Sequence, residues 1–143
     1  MKRIRCGAAA CLLALLVGPL PAAASGSLEA ALRQVVEDNL AAYNSEDPSR
    51  TLASVHTKSP AYASMQEALP EQFGALDART ELEAFTYIGH DNEFAVARVR
   101  YRTVGETAEP FMNNIVDTMT FFYQEDGAWK YWDNYVLGAR LSP

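Results

Sequence analysis

Two carboxylates carry the first chemical possibility in this chain. Asp117 and Asp133 flank Asp126-Gly127, a strong turn signal between two runs of alternating large side chains. Pairing Gln124 with Ala128 across that turn puts both aspartates on one face as diagonal neighbours. They share it with Ile115, Met119, Phe121, Trp129, Tyr131, Tyr135 and Leu137. Two carboxylates on an otherwise apolar face repel, which raises one pKa and makes an acid–base pair. Tyr43, Tyr101 and Tyr135 are hydroxyls able to donate to a ligand carbonyl. The plainer alternative is a structural one, with both aspartates solvated at an open rim or bonded to tyrosine and backbone groups.

Other chemistry is sparse. His56 closes a short helical segment, where an imidazolium suits the negative helix end or simply packs; as a base it needs a partner that the sequence does not place. His90 falls in a turn. Neither histidine belongs to a metal-ligand spacing, and there is no Gly-rich phosphate loop or nucleophile-elbow serine. No metal and no cofactor is expected. Phe122 and Trp132 fall on the opposite face of the last hairpin, where large exposed aromatics suit a dimer interface.

The segment Met1–Ser25 reads as an export signal, which makes the protein periplasmic or secreted. Lys2, Arg3 and Arg5 precede an apolar run from Cys6 to Val17, Gly18, Pro19 and Pro21 break it, and Ala22-Ala23-Ala24 offers a cleavage site. The run is shorter than the roughly 20 residues a membrane span needs. Cys11 precedes most of it, so a lipid anchor is not expected. Of 143 residues, 12 are Lys or Arg and 18 Asp or Glu. Removing the three signal cations leaves 9 positive against 18 negative residues, a net of −9. Such a chain repels phosphate backbones, so no nucleic-acid partner is expected. Both cysteines, Cys6 and Cys11, leave with the signal, so the mature domain is held by its core rather than by disulfides.

Residues 26–143 read as one domain with helices first and strands after. Leu28, Leu32, Val35, Val36, Asn39, Leu40 and Tyr43 keep a helical period behind Ser27. Asp47-Pro48 opens a short second helix, and Tyr62 to Phe73 suggests a third, interrupted or restarted at Pro70. Four strands follow, over residues 79–89, 94–104, 111–124 and 128–140, with a loop at Gly105–Pro110. If Gly89 pairs with Phe94 across a four-residue turn, Glu83 faces Arg100 and Glu81 faces Arg102. Leu82, Ala84, Ile88, Ala95, Ala97, Val99 and Tyr101 then form an inner face. Phe85, Tyr87 and Val96 lie with the charge pairs outside.

The closing Asp126-Gly127-Ala128-Trp129-Lys130-Tyr131-Trp132, the opening helix ending Asn39 to Asp47, and Ser59-Pro60-Ala61-Tyr62 resemble the nuclear transport factor 2-like superfamily, which includes the SnoaL-like proteins. The resemblance covers nearly all of residues 26–143. It implies a cystatin-like α+β cone, in which a strongly curved four-stranded antiparallel sheet wraps three helices around a pocket. It also implies a homodimer through the outer sheet face. Members include isomerases, dehydratases, ligand-binding proteins and interaction modules, so fold alone does not give function. The expected role is a non-catalytic module that binds a small apolar ligand or a protein. The alternative is an isomerase or dehydratase doing proton transfer in the pocket. Family enzymes pair an Asp with a Tyr or His inside the cone. The pocket residues expected here are Tyr43, His56, Tyr101, Asp117, Tyr131, Asp133 and Tyr135, with Asp133, Asp117 and Tyr101 as catalytic candidates.

Overall fold

The computed structural model describes residues 23–75, 77–106 and 112–143. Most of the Met1–Ser25 segment lies outside them, as does most of the Gly105–Pro110 loop. Helix α1 spans Ala23–Asn44 and so begins ahead of Ser27. Its stripe buries Leu32 and Val36 completely and packs Leu28, Val35 and Leu40 beside them. Glu46 then takes a left-handed conformation (φ 52°) that turns the chain. Asn44 ties the end of α1 to the sheet: its Nδ2 donates to Thr80 O at 2.7 Å, and its Oδ1 accepts the Thr80 N–H at 2.9 Å.

Helix α2, Pro48–Ala53, is capped by Asp47, whose carboxylate accepts the Arg50 N–H at 3.0 Å. Helix α3, Tyr62–Ala75, runs through Pro70 without a restart. The sheet follows in sequence order: β1 (Ala78–Asp91), β2 (Phe94–Gly105), β3 (Asn114–Glu125) and β4 (Ala128–Leu141), all antiparallel. The core joins Leu32, Val36 and Val55 to Ala95, Ala97, Val99, Phe122 and Tyr131. This is the curved α+β arrangement of the nuclear transport factor 2-like fold.

Three details of register differ from the expectation. Between β1 and β2 the expected pairing holds at the open end, where Glu81 faces Arg102. Glu83 is then the extra residue of a bulge, and a second register shift follows between Tyr87 and Gly89. The turn thereby tightens to Asn92-Glu93, with Asp91 opposite Phe94. Glu83 still reaches Arg102 (3.0 Å) and Arg100 (3.9 Å), from the bulge rather than from a paired position.

A bulge reverses the alternation beyond it. Phe85 and Tyr87 therefore pack against the core, while Ala84 and Thr86 are exposed and Ile88 is 56% exposed. That is the opposite of the inner and outer sets expected from strict alternation.

The last hairpin pairs Glu125 with Ala128 and Gln124 with Trp129, one residue from the expected register. Asp126 (φ 53°) and Gly127 (φ 79°) form a two-residue turn with positive φ at both positions, which matches the twist of a hairpin. The slip turns β3 over. Thr118, Thr120 and Phe122 face the core, with Phe122 opposite Tyr131 and fully buried, so Phe122 is no outer-face residue. The Thr118 hydroxyl donates to Val99 O (3.2 Å) and lies 3.0 Å from Thr120 Oγ1, so both buried hydroxyls are partnered.

Candidate functional site

Helices α1 and α3 and the inner sheet face border a half-open cavity of about 470 Å³. Leu40, Tyr43, Val55, Met65 and Phe73 give it apolar walls. Tyr43 stands edge-on to Phe73, ring centroids 5.1 Å apart, and burial raises its phenol pKa. Tyr101 and Tyr131 bring their hydroxyls within 3.3 Å of each other in the lining. Burial raises the pKa of Tyr101, and it raises that of Tyr131 further. Both are neutral phenols at any physiological pH.

Polar groups that the sequence reading did not single out also line it: Asn39, Glu46, Ser59, Gln72, Thr80, Thr103 and Asn134. Asn39 is placed by α1, and its Nδ2 donates to Ser54 Oγ (2.6 Å) and to Thr51 O (3.3 Å). Both donors are thus used locally, and Oδ1 accepts no hydrogen bond from the described residues. The available signal was its position, an amide on the otherwise apolar stripe by which α1 packs on the core.

The expected site residues do not all converge. Tyr43, Tyr101 and Tyr131 line the cavity, and Asp133 contributes to its rim. Asp133 is exposed and accepts the Asn134 N–H at 2.8 Å; its register partner is Phe121, on the outer side of the sheet. Tyr135 is 69% exposed and does not line the cavity.

Asp117 is a clear correction. The one-residue slip of β3 turns it to the outer face, where it accepts from Arg100 Nη2 (2.9 Å) and Arg98 Nη2 (3.1 Å). These hydrogen bonds, that to Arg100 foremost, hold its pKa below the usual carboxylate range. It cannot share a proton with Asp133 inside a pocket.

His56 is also outside the cavity. It is buried behind β4, edge-on to Trp132 (5.1 Å) and Tyr123 (5.4 Å), and its Nδ1 accepts the Lys58 N–H at 3.0 Å. Trp132 is therefore packed within this cluster while also contributing to the cavity lining. Next to His56, Glu125 accepts the Thr57 N–H (3.1 Å) and hydroxyl and pairs with Lys130 (3.1 Å). The Thr57 hydroxyl bond is the main reason its pKa is lowered to about 2. Among the described residues no group of His, Cys, Asp and Glu is arranged to hold a metal ion.

The geometry thus offers a half-open, mostly apolar pocket with two neutral phenols, side-chain amides such as that of Asn39, and carboxylates at Glu46 and Asp133. Solved structures with the same fold support that architecture. A protein of unknown function with a cystatin-like fold from Nostoc punctiforme superposes with a TM-score of 0.64 at 9% identity, over 80% of this chain and 91% of that one. A nuclear transport factor 2-like protein of unknown function from Pseudomonas putida gives 0.66 at 15% identity, over 78% and 87%. A ketosteroid isomerase-like protein from Erwinia carotovora atroseptica gives 0.57 at 12%, over 76% and 95%. At these identities the likeness is one of fold. No curated protein matches the chain in sequence. The family model for the C-terminal domain of anti-sigma-I factor RsgI9 matches residues 34–139, which takes in the second half of α1, both later helices, β1 to β3 and most of β4, and the chain belongs to that family.

Proposed function

We propose that this domain is a non-catalytic binding module, exported by its Met1–Ser25 segment, that holds a small, neutral, mostly apolar ligand in the cone cavity. The observation that carries this reading is the Tyr101–Tyr131 pair in a mostly apolar, half-open cavity of about 470 Å³. Neutral phenols and the Asn39 amide oxygen in one lining can fix the orientation of a ligand bearing one hydroxyl or carbonyl. The displacement of Asp117 to the outer face removes one of the two carboxylates that an acid–base mechanism would have used. The family model is named for the C-terminal domain of an anti-sigma-I factor, which also suits a binding role rather than turnover.

The test is ligand-dependent melting with a panel of steroids, polyketides and fatty acids, read together with Trp fluorescence. A true ligand present at 100 times its Kd stabilises by about 2.7 kcal/mol, a shift of several degrees. No shift with any class would defeat the reading. Chemical conversion of a bound ligand would replace it with a catalytic one.

A further inference from the structure

We propose that the second half of β4 is a homodimer contact, in which two copies join edge to edge through an antiparallel pairing of Asp133–Arg140. The two ends of this strand are treated differently. At Tyr131 the edge is occupied: the Tyr131 N–H donates to Ser54 O (2.8 Å), and its C=O accepts the His56 N–H (2.8 Å). Ser59 Oγ covers the next carbonyl, that of Trp132, at 2.6 Å. Beyond Trp132 the hydrogen bond given at this edge is local, from the Asn134 N–H to Asp133 Oδ1 (2.8 Å); no other element of the described residues covers it, β4 being the last strand of the sheet. Every residue from Asp133 to Leu141 is exposed.

The apolar side chains on this stretch lie on both faces of the sheet. Val136 (57% exposed) pairs with Thr118, on the helix side. Tyr135 (69%) pairs with Met119, on the opposite side. A partner laid flat on the outer face would leave Val136 bare. A partner strand added at the edge brings neighbours to both faces at once. Long unprotected edges are uncommon in isolated domains because they pair with other chains.

The occupant is a second copy because the stretch is complementary to itself. With the twofold axis between Val136 and Leu137, Asp133 of each copy stands opposite Arg140 of the other. Both charges lie on one sheet face, since Asp133 pairs with Phe121 and Arg140 with Ile115 on the same side of β3. The two charge pairs flank Val136 and Leu137 at the centre. Leu137 is the extra residue of a bulge, so the bend it introduces falls at the axis, equally in both copies.

Sedimentation velocity of the purified protein from 1 to 100 µM tests the proposal, with Asp133→Arg, Arg140→Asp and the double exchange as variants. A dimer in the wild type is expected. Each single reversal should weaken it at least tenfold, and the double exchange should restore it. Far-UV circular dichroism separates loss of pairing from loss of folding. A monomeric wild type throughout this range overturns the proposal. So does a dimer indifferent to both single reversals, which would place the contact on another surface.

Discussion

The hydroxyls of Tyr101 and Tyr131 lie 3.3 Å apart although their strands, β2 and β4, are not neighbours. The curl of the sheet across β3 brings them together. A flat sheet would hold strands two places apart at roughly 9.5 Å, a separation that the tilt of two large inward rings must then close. Replacing Tyr101 by Phe removes one hydroxyl from the cavity and keeps the ring. Ligand affinity should fall about fivefold to fifteenfold, the equivalent of about 1–1.5 kcal/mol for one hydrogen bond. Calorimetric titration of wild type and variant with the same ligand checks this.

Acid should weaken the domain through Glu125 and Asp117. Both pKa values are lower in the folded chain, Glu125 reaching about 2 from 4.5. In that window the unfolded chain binds more protons, so the stabilisation is fully present above the unfolded values and is lost as pH falls through the folded ones. The melting temperature should therefore drop by several degrees or more between pH 5 and pH 3. Glu125→Gln should flatten part of that slope and Asp117→Asn another part. Equal slopes in all three proteins would refute the assignment.

The bulge at Glu83 makes a sharp contrast between two side chains on β1. Phe85 packs on the core, whereas Ile88 is 56% exposed. Phe85→Ala should cost about 2–4 kcal/mol, as large-to-small changes against a core do, and Ile88→Ala about 0.5 kcal/mol or less. Urea unfolding of the two variants measures both. The reverse order would mean that strict alternation describes β1 after all.

Element order and type were legible in the sequence because they rest on long signals. These are the apolar stripe of α1, the Asp47-Pro48 cap, the alternating runs and Asp126-Gly127. What was not legible depends on single-residue insertions. Glu83 and the Glu125–Ala128 closure each change the register by one residue, and in a period-two structure one residue exchanges the faces. That exchange put Phe122 in the core, Asp117 on the arginines and Phe85 inside. Tyr43, Tyr101 and Tyr131 reached the cavity regardless. Tyr43 continues the buried stripe of α1, and Tyr101 and Tyr131 keep the inward parity of the expected register. Asn39, by contrast, becomes recognisable as a lining group only once Ser54 and Thr51 are seen to take its amide protons.

Tyr131 has two attachments that share one residue. Its ring forms part of the cavity lining, and its backbone clasps the Ser54–His56 connection between α2 and α3. Anything that immobilises the ring also steadies that clasp, so deuterium uptake at the His56 and Tyr131 amides should slow when the cavity is filled. Occupancy deep inside the cone would in this way be legible at its outer seam, without any helix having to move.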